Sequence, residues 1–132
     1  NAARAEPDTI TTEPMPLAAP AGNEPTALSS GMFVGADSFH RTAGSATIYA
    51  LPDGRRILRF ENFEVINGPD LRVLLAKGAD PAKSIELGDL KGNKGNQNYD
   101  IAASVEPSSY DSVIIYCKPF HVIFGTATLK TP

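Results

Sequence analysis

Four side chains in this sequence carry the chemistry of a soft-metal or redox site: Cys117, the single cysteine; His40 and His121, the two histidines; and Met32. One thiolate, two imidazoles and a weak axial thioether suit copper in both oxidation states. The order argues against that assignment, because such sites place the methionine shortly after the second histidine, and here Val122, Ile123, Phe124 and Gly125 follow His121. A closed zinc site would want four ligands. The spacing therefore predicts no tightly held transition metal. Cys117 has two readings. It is a small buried hydrophobe, as most free cysteines are, or a reactive thiol whose thiolate Lys118 or His121 would favour. The stretch Lys118 to His121 interrupts two apolar runs, as an edge or cleft would, and tilts the reading toward a functional cysteine.

The second group with possible chemistry is "GDLKGNKGNQNYD", residues 88 to 100. Its glycines and amides read as a long surface connection, held by side-chain hydrogen bonds or framing a binding site. Asn93, Asn96, Gln97 and Asn98 could offer amide oxygens to a cation. With Asp89 and Asp100 as the nearby carboxylates and no Asp-x-Asp spacing, calcium is disfavoured and structural Asx-turns are expected. Catalytic signatures are missing: no Gly-x-Ser-x-Gly elbow, His-Glu-x-x-His pair, phosphate-binding loop or dinucleotide glycine motif occurs. Nor is there a Cys-x-x-Cys-His for covalent haem. Whether the chain is an enzyme stays open.

The elements that must position these residues read as short strands. "GMFVGA" (31–36), "SATIYAL" (45–51), "RRILRFENFEVI" (55–66), "DLRVLLA" (70–76), "SVIIYC" (112–117) and "HVIFGTATL" (121–129) are β-branched and aromatic runs between turn signals. "SIEL" (84–87) and "NYDIA" (98–102) are weaker candidates. "LPDGRR" is a hairpin signal, and "NGPD" (67–70) turns the chain again. Leu58 and Phe60 are followed by Phe63 and Val65, a change of parity that a β-bulge at Glu61 and Asn62 would produce. Helix is confined to a short piece near "DPAKS". The pattern predicts an all-β fold, an antiparallel β-sandwich or small barrel. Its core should include Phe60, Phe63, Val65, Leu71, Val73, Val113, Ile115, Val122 and Phe124.

A length of 132 residues fits one domain. The net charge of −3 gives no broad attraction for nucleic acid or anionic membrane, and no apolar run approaches the length needed to span a bilayer. Residues 1–30, rich in Pro, Ala, Thr and Glu, read as a flexible tether ahead of a β domain at 31–132. Such tethers commonly separate a folded head from an anchor. An exported, periplasmic or cell-surface protein is therefore expected, with a signal peptide or membrane tether lying ahead of residue 1. A single cysteine excludes an intramolecular disulfide.

"GMFVGADSFHRTAGSATIY", "RILRFENFEVINGPDLRVLL", "IELGDLKGNKGNQNYDI" and "SVIIYCKPFHVIFGTATL" together resemble the DM-thirteen family, the Skeletor-associated electron-transfer module. The resemblance covers about residues 31 to 129. It implies an exported or surface-anchored domain with an electron-transfer role centred on Cys117, either as a bare thiol or as a ligand to a prosthetic group such as haem. A redox partner protein or cell-surface component is implied with it. By the same resemblance Asn67, Gly68, Pro69 and Asp70 form a structural turn, with Gly68 free to take positive φ. Gly92, Asn93, Gly95, Asn96, Gln97, Asn98 and Tyr99 match the family's long loop and frame a possible site. Cys117, Pro119 and Phe120 match its cysteine segment; His40 and His121 are secondary candidates for holding a cofactor. The alternative is a non-catalytic extracellular module that binds protein or glycan and carries an inert, buried cysteine.

Overall fold

The computed structural model describes residues 7–16 and 24–132. Its strands are β1 (Ile10–Thr12), β2 (Thr26–Gly35), β3 (Thr42–Ala50), β4 (Arg56–Val65), β5 (Leu71–Lys77), β6 (Asp80–Asp89), β7 (Lys94–Ile101), β8 (Ser112–Cys117) and β9 (Val122–Thr128). They form one nine-stranded sheet in the order β1-β7-β4-β3-β2-β9-β8-β5-β6, curled into a half-barrel. Every pairing is antiparallel except β1 with β7. The fold is all-β as expected, and of the two forms anticipated it is the barrel-like one.

Alternation along the strands fills the concave face. Phe33, Phe60, Phe63 and Tyr99 meet there, with Phe33 edge-on to Phe60 at 4.9 Å and to Phe63 at 5.1 Å between ring centroids. All nine residues expected in the core belong to this cluster or pack against it. Phe60 and Phe63 reach the same face because Asn62 takes a left-handed φ of 52° and shifts the register against β7, which is the bulge the parity change required. Replacing either ring by alanine should cost about 3–5 kcal/mol. The Pro52-Asp53-Gly54 turn also forms: Gly54 adopts φ 94°, and the Asp53 carboxylate accepts the Arg55 N–H at 3.0 Å.

Three expectations change. "DPAKS" lies in edge strand β6, where Pro81 costs no central ladder bond, and the one described helical turn is Pro107–Ser109. Residues 94–101 are a strand between β1 and β4, not a surface loop. The segment expected to be a tether is ordered where it is described: β2 begins at Thr26, and residues 7–14 lie along β7. Residues 1–6 and 17–23 of that segment lie outside the described residues.

Candidate functional site

Cys117 ends β8. Val113, Ile115 and Cys117 alternate onto the concave face, and Ile114 and Tyr116 onto the convex one. The sulfur therefore faces the core and Cys117 is 1% exposed. Its thiol donates to the carbonyl of Pro69 at 3.2 Å, and the next residue's N–H donates to the carbonyl of Asp70 at 3.3 Å. The cap over the sulfur thus comes from the turn between β4 and β5. Asp70 holds the left-handed conformation there, φ 54°. Gly68, expected to supply it, does not; it serves by lacking a Cβ, which would stand 2.8 Å from the Phe124 ring.

This environment opposes the thiolate. Burial pushes the Cys117 pKa up; the Phe120 N–H pulls the other way without reversing it, and the charge of Asp70 adds to the rise. The assistance expected from Lys118 and His121 is absent. Lys118 Nζ lies 3.6 Å from Glu86, and the His121 ring meets the Tyr116 hydroxyl at 3.2 Å on the convex side. Asp70 is itself held below the usual carboxylate range by the hydrogen-bonded Arg72 guanidinium.

The other candidate ligands do not converge on the sulfur. His40 lies between β2 and β3, its Nδ1 3.0 Å from both carboxylate oxygens of Asp37 and its ring 4.3 Å from that of Phe124. The same carboxylate accepts the backbone N–H groups of Phe39 and His40, so the histidine is part of a loop-ordering Asx motif. Met32 is exposed, alternating with the inward Phe33. Among the described residues no three of His, Cys, Asp and Glu gather as a metal set. An open cleft of about 830 Å³ lies between Phe39, Arg41, Glu64, Ile66 and Lys94, and a smaller one of about 210 Å³ between Asn67, Asp70, Asp89 and Asn93. Neither has Cys117 in its walls. The residues present therefore do not fit a haem ligated by this sulfur, nor does either histidine stand beside it as a second axial ligand.

The amide residues turn out to be brackets. Gln97 is 0% exposed; its Nε2 donates to the carbonyls of Gly92 and Gly95 at 3.0 and 3.2 Å, and its Oε1 accepts from the Gly92 N–H and the Tyr99 hydroxyl. The Tyr99 oxygen accepts in turn from the Lys91 N–H at 2.8 Å, and burial drives the phenol pKa upward. Asn96 accepts the N–H of Asn62 at 2.9 Å and so braces the β4 bulge. Asn98 Oδ1 accepts from Arg59, a guanidinium that is itself buried. Asn93, 1% exposed, donates to the carbonyl of Val65 and accepts the N–H of Thr9 at 2.7 Å. Sequence reasoning missed the segment that supplies these partners: Asp8 and Thr9 bond Asn93, the Thr11 hydroxyl donates to the Asn96 carbonyl, and Glu13 accepts the Asn98 N–H. The Thr-Ile-Thr-Thr run among them has β-branched strand character, and that was the available signal.

A family model described as "Electron transfer DM13" matches residues 33–129. No curated protein and no solved structure matches the chain.

Proposed function

The chain belongs to the DM13 family, described as an electron-transfer domain, and on that premise we propose that it is an exported or surface-anchored redox module in which Cys117 is a capped thiol, protonated at rest and released by movement of the 67–70 turn. The observation that carries the reading is the bond from the sulfur to Pro69, because the acceptor belongs to a turn and not to the sheet. In the closed form, burial and Asp70 keep the proton on sulfur. When the turn lifts, the desolvation is relieved and the proton passes to water. The thiolate then attacks one sulfur of a partner protein's disulfide: a Cys117–partner bond forms, and the partner's second sulfur leaves as a thiolate. A thiolate of a second, reduced partner attacks the Cys117 sulfur, forms its own bond there and releases the first partner's sulfur as a thiolate. A neighbouring thiolate of that second partner closes its disulfide and expels Cys117, which regains its proton from water. Two electrons pass from a dithiol to a disulfide, and Cys117 ends as it began.

A second reading, an extracellular binding module with an inert cysteine, is favoured by the 1% exposure of Cys117. The two separate on one product. Incubation of the folded protein with a small disulfide at neutral pH, followed by intact mass, should show a mixed disulfide that Cys117→Ser abolishes. If no adduct forms without denaturant, the capped-thiol reading is overturned and the binding module stands. Export is tested by locating the protein in fractionated cells; recovery with the cytosol would refute it.

A further inference from the structure

We infer that the β7 edge is a strand-acceptor site for an extended acidic peptide, that residues 8–14 of this chain are its resident ligand, and that a peptide of the same pattern exchanges with them. This inference is independent of the chemistry at Cys117.

The acceptor is built for a foreign backbone. A Cβ at Gly95 would lie 2.0 Å from the carbonyl oxygen of Thr11, and one at Gly92 would lie 2.7 Å from the carbonyl oxygen of Thr9 and from a Thr11 methyl; at both glycines each of the three nearest atoms belongs to Thr9 or Thr11. These glycines fall inside the family match at 33–129, and the segment they clear space for falls outside it. The side chains of β7 and its neighbours then read the segment's main chain. Asn93 accepts from the Thr9 N–H, Asn98 Nδ2 donates to the Pro14 carbonyl at 2.9 Å, and Arg59 donates to the Glu13 carbonyl at 3.0 Å. Two carboxylates anchor the ends: Asp8 lies 2.9 Å from Lys94 Nζ, and Glu13 lies 2.9 Å from Lys91 Nζ while accepting the Asn98 N–H. Strand addition at a sheet edge gains affinity from main-chain bonds and specificity from such anchors.

The resident strand behaves as a ligand and not as core. β1 is three residues long, Ile10 at its start is 69% exposed, and neither apolar cluster includes a residue from 7–16. Its contacts are polar and partly solvated, and segments held that way open at low free energy.

The test uses the full chain carrying Thr11→Pro, which removes an N–H from the β1 backbone and empties the groove. The probe is a fluorescent peptide of residues 7–16, followed by anisotropy. Saturable binding to this variant, weaker binding to the wild-type chain whose groove is filled, and loss of binding when Gly92→Ala is added are expected; Gly92 lies outside the left-handed region, and the three atoms nearest the added methyl all belong to the segment. A peptide with Asp8→Asn and Glu13→Gln should bind about tenfold more weakly, two exposed ion pairs being lost. A folded variant that binds no peptide, or binding that ignores Gly92→Ala, would overturn the inference. So would a Thr11→Pro chain that fails to fold, since residues 8–14 would then be structure and not ligand.

Discussion

Gln97→Leu removes the bracket that holds the start of β7 while nearly conserving side-chain volume. In the native protein the amide makes four hydrogen bonds with no exposure to water. Leucine leaves the Gly92 N–H, the Gly92 and Gly95 carbonyls and the Tyr99 hydroxyl proton short of a partner. A buried polar group so orphaned costs about 1–3 kcal/mol. Because carbonyls tolerate the loss better than the N–H, the sum is taken at the lower end, about 4 kcal/mol. That is a large share of the roughly 5–15 kcal/mol available to a domain of this size. Equilibrium urea unfolding followed by far-ultraviolet circular dichroism measures it, with the slope expected to stay unchanged. Tyr99→Phe should cost about 1–2 kcal/mol, and the double variant less than the sum, because the two side chains share a bond. A loss under about 1 kcal/mol for Gln97→Leu would refute the reasoning, since water would then be reaching groups that the structure buries.

Gly68→Ala should destabilise by about 1–3 kcal/mol by forcing the turn off the Phe124 ring, and should speed modification of Cys117; unfolding curves and thiol labelling measure the two effects. On the alkaline side the folded thiol pKa lies above its unfolded value near 9.0, so the stability it contributes is intact below pH 9 and is lost as pH rises through the folded value. Melting temperatures from pH 7 to 11 should accordingly fall less steeply in Cys117→Ala. On the acid side Asp8, Asp37, Asp53 and Asp70 are held below the usual 3.8, so their contribution is intact above that value and is lost as pH falls through the folded values. A melting temperature that does not decline below pH 4 would contradict those pairings.

The concave core was legible because its residues obey strand parity: Val113, Ile115 and Cys117 alternate, and that parity alone puts the sulfur on the same face as the core. The interruption at Lys118 to His121 reads as a cleft but is the β8–β9 turn, and the cysteine sits one residue before it facing inward. The second half of β7 was legible as the weaker candidate 98–102, but its first half was hidden because the inward residue there is Gln97, whose fitness for burial depends on the carbonyls of Gly92 and Gly95 and leaves no apolar period. β1 was hidden by proline-rich flanks, and by a pairing partner more than eighty residues away. Chemistry set by non-local packing, such as the rise in the Cys117 pKa, could not be read from the neighbours Lys118 and His121 in sequence, because burial against the core decides it and the charge of Asp70, distant in sequence, adds to it.

The central claim is that a turn, and not the whole fold, guards Cys117. The rate at which a thiol reagent modifies the native protein at neutral pH, measured against reagent concentration and against low urea, tests it directly. A capped thiol predicts a rate below that of free cysteine that plateaus at high reagent, where turn opening limits it, and that barely responds to urea below the unfolding transition. A rate that rises with urea as steeply as global unfolding would mean that only unfolding of the whole domain frees the sulfur, and would contradict the account.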